Sequence, residues 1–139
     1  MNREIKFRAW DNADISFYDN NENSRMSYFG PEYWINDEGY IRFESPHGKS
    51  PSGDHDQERF TLMQYTGLKD KNGKEIYEGD IIEFEYHNGG GFSRVKEPVT
   101  FYNGQFSVWQ ESINNYNENC EIIGNIFENP KILNENNLL

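Results

Sequence analysis

Cysteine occurs once in this 139-residue chain, at Cys120, so an intrachain disulfide and a multi-cysteine zinc site are both excluded. No apolar run approaches the ~20 residues that a membrane helix needs, which excludes a helical span. The start, Met1-Asn2-Arg3-Glu4-Ile5-Lys6, lacks the apolar core of a secretory signal, and Asn-x-Ser/Thr is missing although Asn is abundant. A cytoplasmic location is the expectation. Basic residues are also scarce: 13 Lys and Arg stand against 24 Asp and Glu, a formal charge of −11. Non-specific binding to a nucleic-acid backbone is therefore excluded, because that requires a basic footprint.

What the chain does have is aromatic side chains, 16% of residues against 35% hydrophobic residues in all. Phe, Tyr and Trp bury roughly 150–250 Å² each, so a few of them can build a core. A wholly disordered chain does not fit that composition. The acidic charge is concentrated after the first ten residues: residues 11–60 hold eleven acidic and four basic side chains, and residues 61–139 hold twelve and six. Solubility explains this, and an acidic face for a basic partner is the sharper alternative.

Apolar residues recur with period two rather than with helical spacing. Residues 4–10 place Ile5, Phe7 and Ala9 on one face of a strand and Lys6, Arg8 and Trp10 on the other. Short strands are expected at Ile15–Tyr18, Met26–Phe29 and Tyr40–Glu44. Residues 45–58 contain no large apolar side chain and read as a flexible acidic linker, since ordering costs ~1–2 kcal/mol per residue with no burial to offset it. Phe60–Tyr65 reads as a strand. Ile76–Tyr86 reads as a longer one bent at Gly79-Asp80, with Ile82, Phe84 and Tyr86 inward. Val99–Trp109 carries the clearest signal, two alternating runs joined by Asn103-Gly104. That turn chemistry sets Phe101 opposite Phe106. Asn72-Gly73 offers a second turn, but a tight one would set Lys71 against Lys74 and Asp70 against Glu75, so a looser turn is expected. Ile122–Phe127 reads as a central strand, and Pro130 opens a short helical turn.

The chain is therefore expected to be mainly β, a small two-lobed β barrel or sandwich whose second lobe is SH3-like, ending in a short helical turn. The lobes would be residues 1–44 and 59–139, joined by 45–58.

Catalytic constellations fare poorly. Gly48-Lys49-Ser50 resembles the end of a phosphate loop, but Phe43 stands where the first glycine belongs and Pro51 prevents the helix. His47, Asp54, His55 and Asp56 are metal-ligand types placed in the segment least able to fix a geometry. Asp70-Lys71-Asn72-Gly73 has its glycine two places early for a calcium loop. Cys120 has no basic neighbour to activate it. Paired carboxylates such as Glu83 and Glu85 read as a solvated strand face. No catalytic residue, metal or cofactor is expected. Trp10 and Trp109 fall on the face opposite their strands' apolar residues, covering a second core layer or offering a patch to a partner.

Three runs, Arg3–Asp11, Leu62–Ile82 with its Gly67, Gly73 and Tyr77-Glu78-Gly79-Asp80, and Ile122–Pro130, together resemble the YopX family of small phage and prophage proteins. The resemblance implies a phage or prophage origin and a β-rich fold, and it carries no catalytic residues over. The middle run reads physically as a folding element, with Asp80 accepting backbone N–H groups near Thr66-Gly67.

The function expected is a non-enzymatic accessory protein that binds a host or phage macromolecule, a protein being the expected partner, with a homo-oligomer built on β contacts. Candidate binding residues are Trp10, Tyr65, Tyr77, Glu78, Asp80 and Trp109. An acidic, nucleic-acid-mimicking inhibitor of a host defence nuclease is the alternative, and a metal-dependent hydrolase is a weaker one.

Overall fold

A computed structural model describes residues 4–12, 26–28, 33–35, 41–45, 48–49, 60–87, 89–109 and 111–135. The strand expected at Ile15–Tyr18 and most of the 45–58 linker lie outside them. The chain is mainly β, with one short α-helix among the described residues, as the period-two patterning implies. Among the described residues no helix is long and apolar enough to cross a membrane. It divides into two compact units, Lys6–Leu62 and Met63–Leu139 with Met1–Ile5.

In the first unit β1 (Phe7–Asp11) pairs antiparallel with β2 (Met26–Tyr28), setting Arg8 opposite Tyr28 and Trp10 opposite Met26. Alternation predicts one solvated face for β1, yet Arg8, Ala9, Trp10 and Asp11 are all buried. Arg8 tolerates this because its guanidinium reaches the Tyr28 hydroxyl at 3.5 Å and lies 6.0 Å from the Tyr28 ring centre. A second sheet orders β3 (Tyr33–Ile35), β4 (Ile41–Ser45) and β5 (Gly48–Lys49), with β3 absent from the sequence reading.

The larger unit holds the main core. From β6 (Phe60–Lys69) the chain turns into β7 (Glu75–Tyr77), then β8 (Asp80–His87), β9 (Phe92–Pro98), β10 (Thr100–Tyr102), β11 (Gln105–Val108) and β12 (Glu111–Ser112). Two single turns of 3-10 helix follow, Ile113–Asn115 and Asn117–Asn119. Then come β13 (Glu121–Asn125) and α1 (Lys131–Glu135). One sheet runs β13-β8-β9 and another β10-β11-β12. Val99 joins them: its N–H donates to the Asp80 carbonyl and its own carbonyl accepts the Gly79 N–H, both at 2.8 Å. The β9–β10 run thus bends at one buried residue and serves both sheets, which enclose one core. Ile76, Ile82, Phe84, Val99, Val108, Ile113 and Cys120 fill it. Each fully buried Ile, Val or Phe contributes roughly 1.5–3 kcal/mol relative to exposure.

Two sequence expectations need correction. Ile76–Tyr86 is not one bent strand: the Glu78-Gly79 turn separates β7 and β8, which pair with different partners. Ile122–Phe127 is not central either; β13 ends its three-stranded sheet among the described residues, and β8 takes the middle with both Ile81 and Ile82 fully buried.

The hairpin at Asn103-Gly104 forms as its chemistry demands, with φ of 53° and 83° and Phe101 opposite Phe106. The Asn72-Gly73 turn is looser, as the like charges require. Asp70 and Lys74 close a three-residue loop, and the register outside it pairs Lys69 with Glu75.

Candidate functional site

The Leu62–Ile82 run folds around two carboxylates. Asp70 is buried, and its Oδ1 accepts the N–H groups of Asn72 and Lys74, both at 2.9 Å. Its Oδ2 accepts the N–H of Ile122 at 3.0 Å, fifty-two residues away, which ties the loop to β13. The Cys120 carbonyl accepts the Lys71 N–H beside it at 3.0 Å. Asp80 accepts the Tyr77 N–H at 2.8 Å and so closes the turn between β7 and β8. Glu78 accepts the Gln64 N–H at 2.9 Å. Tyr65 and Tyr77 lie opposite each other in the ladder with ring centres 5.5 Å apart, both buried. The three carboxylates accept hydrogen bonds from the backbone that surrounds them.

Of the six candidate residues, Trp10, Tyr65, Tyr77 and Asp80 are buried, Glu78 is half-buried, and Trp109 is exposed at 43% of its surface. Trp10 belongs to the first unit and the other five to the second.

Trp109 stands apart for a backbone reason. Val108 pairs with Glu111, so Trp109 is the first residue of a two-residue connection between β11 and β12. Such connections favour Asn, Asp or Gly because they need positive φ. Trp109 sits at φ 52° with a full indole attached, a conformation that costs of order 1–3 kcal/mol for a bulky residue. The previous turn of the same sheet, Asn103-Gly104, meets that requirement with the favoured residues.

The indole rests edge-on against two rings of β8. Its centre is 4.9 Å from Tyr86 at 85° and 5.8 Å from Phe84 at 74°. Tyr116 covers Phe84 from another side at 4.4 Å. The Tyr116 hydroxyl donates to the Glu111 carboxylate. Burial, with the Glu111 hydrogen bond and charge adding to it, pushes the Tyr116 phenol up to about 12, so it remains a donor at neutral pH. The result is a partly exposed aromatic surface of Trp109, Tyr86 and Tyr116 with a carboxylate anchored at its margin. It can stack, bury apolar area and accept hydrogen bonds. Sequence reading named Trp109 but not Tyr86, Tyr116 or Glu111. Tyr86 was legible as the end of an inward stripe, whereas Tyr116 lies between two short 3-10 turns with no periodic signal.

The residues His47, Asp54, His55 and Asp56 lie outside those described. Among the described residues no three His, Cys, Asp or Glu side chains converge as metal ligands would.

Comparison with known proteins places this geometry. The family model described as YopX protein matches residues 6–134. The crystal structure of protein EF1440 from Enterococcus faecalis is 27% identical, with a TM-score of 0.60 over 95% of this chain and 99% of that one. The crystal structure of yopX from Bacillus subtilis is 22% identical, with a TM-score of 0.56 over 92% and 97%, a likeness of fold. No curated protein matches the sequence.

Proposed function

This chain belongs to the YopX family, and from that premise we propose that it is a non-enzymatic module that binds a protein partner through the Trp109 surface. One observation carries the reading: an exposed indole occupies a positive-φ turn position where Asn or Gly would fit without strain. Strain of that kind persists at sites where the side chain serves something other than the fold. Tyr and Trp supply large contact area at low conformational cost, which is why binding surfaces favour them. The carboxylates of the Leu62–Ile82 run support the same reading from the other direction. They are hydrogen-bonded to neighbouring N–H groups and hold turns.

Immobilised protein incubated with bacterial lysate tests this. A protein retained by the natural chain and lost with Trp109→Gly is the expected result. Equal retention by both, or none by either, overturns the reading.

A further inference from the structure

The surroundings of Trp109 restrict the chemistry of what it binds. From Pro98 to Gln110 the chain carries no charged side chain, although 27% of all residues are charged. From Glu97 to Pro130 it carries five carboxylates, Glu97, Glu111, Glu118, Glu121 and Glu128, and no Lys, Arg or His. An uncharged aromatic hairpin therefore sits in a segment of one sign.

The carboxylates differ in what holds them. Glu83 is paired with Arg94 at 2.7 Å and Glu121 with Lys71 at 3.4 Å. Glu111, directly after the Trp109 turn, is instead held by the neutral hydroxyl of Tyr116. That hydrogen bond orients the carboxylate without neutralising it, and ionised oxygens keep further acceptor positions. Glu111 is exposed and stands two residues after the exposed Trp109, opposite Val108 in the ladder.

We propose that Trp109, Tyr86, Tyr116 and Glu111 receive an arginine-bearing segment of the partner protein, an assignment that rests on the binding reading above. A guanidinium is planar, stacks on an indole face and pairs with a carboxylate through two parallel N–H groups. An ammonium does the second only as a point charge. A polyphosphate chain is repelled by the net charge of −11, which also speeds the approach of a cationic partner. Stacking and the rim ion pair are each worth roughly two- to fivefold in affinity at an exposed site.

Fluorescence anisotropy with a labelled peptide of alternating Arg and Ser, and its Lys-for-Arg counterpart, tests the assignment at physiological ionic strength. The natural chain binds the Arg peptide more tightly than the Lys peptide. Trp109→Gly and Glu111→Gln each weaken the Arg complex by roughly two- to fivefold. Glu128→Gln, which removes the same charge elsewhere, changes it by less than about twofold. Glu111→Gln keeps an acceptor for Tyr116, so it reports on charge even if Trp109→Gly loosens the hairpin. The assignment fails if the Arg peptide does not bind, or if both variants behave like Glu128→Gln. Should that happen while lysate capture still depends on Trp109, the binding module stands and its arginine specificity falls. Loss of both removes both.

Discussion

Replacing Asp70 by Asn isolates the role assigned to the most distinctive run of the sequence. The substitution preserves shape and removes the charge together with one acceptor oxygen. In the natural chain one carboxylate oxygen serves Asn72 and Lys74 and the other serves Ile122. An amide keeps only the first arrangement, and its NH2 then faces the Ile122 N–H. One hydrogen bond to an ionised acceptor, worth ~1.5–3 kcal/mol, is lost and a half-buried donor goes unsatisfied at ~1–3 kcal/mol. The two remaining bonds weaken because the acceptor is now neutral. Relief from burying a charge offsets part of this. A net loss of roughly 3 kcal/mol follows, a large share of the ~5–15 kcal/mol that stabilises a domain. Urea unfolding followed by circular dichroism reads the loss as a lower midpoint at unchanged slope. Amide exchange adds the location: Ile122 and Lys74 lose protection first. A variant within ~0.5 kcal/mol of the natural chain, or one with Ile122 exchange unchanged, refutes the reasoning.

Gly79→Ala places a methyl 3.0 Å from the Met63 sulfur at φ 84°, at the junction where Gly79 also bonds Val99 and Ile126. It destabilises by roughly 1–3 kcal/mol in urea titrations, and a neutral result contradicts the junction. Burial, with the Asp70 and Asp80 charges adding to it, pushes the Cys120 thiol from its ordinary 9.0 up to about 11. The unfolded chain therefore ionises first, and stability falls as pH rises from about 9 to about 11. Cys120→Ala flattens that part of the urea-midpoint profile; parallel profiles for the two proteins contradict it.

Local signals gave reliable structure where side chain and backbone agreed. Asn103-Gly104 announced its hairpin and register because both residues tolerate positive φ and the flanking runs alternate. Like charges at Lys71 and Lys74 similarly pointed to a looser loop. β9 was missed because Phe92–Pro98 carries Arg94, Lys96 and Glu97 and alternates weakly; it is a strand because β8 supplies a well-patterned partner. The bond from Asp70 to Ile122 joins residues far apart in sequence, and nothing local marks either end. Trp109 was visible as an aromatic residue, but its turn carries no Asn or Gly, so its left-handed backbone was not. The partner residues Tyr86, Tyr116 and Glu111 come together only once the barrel closes, which made the surface invisible while its central residue was in view.

Titrating isotope-labelled protein with the Arg–Ser peptide, and following the Trp109 indole N–H by NMR, tests the central claim most directly. The account predicts that this resonance and the amides of Val108, Glu111 and Tyr116 move most, with the Trp10 indole unaffected. Largest shifts along Glu121–Asn125, or a Trp109 resonance that stays in place at saturation, contradict it.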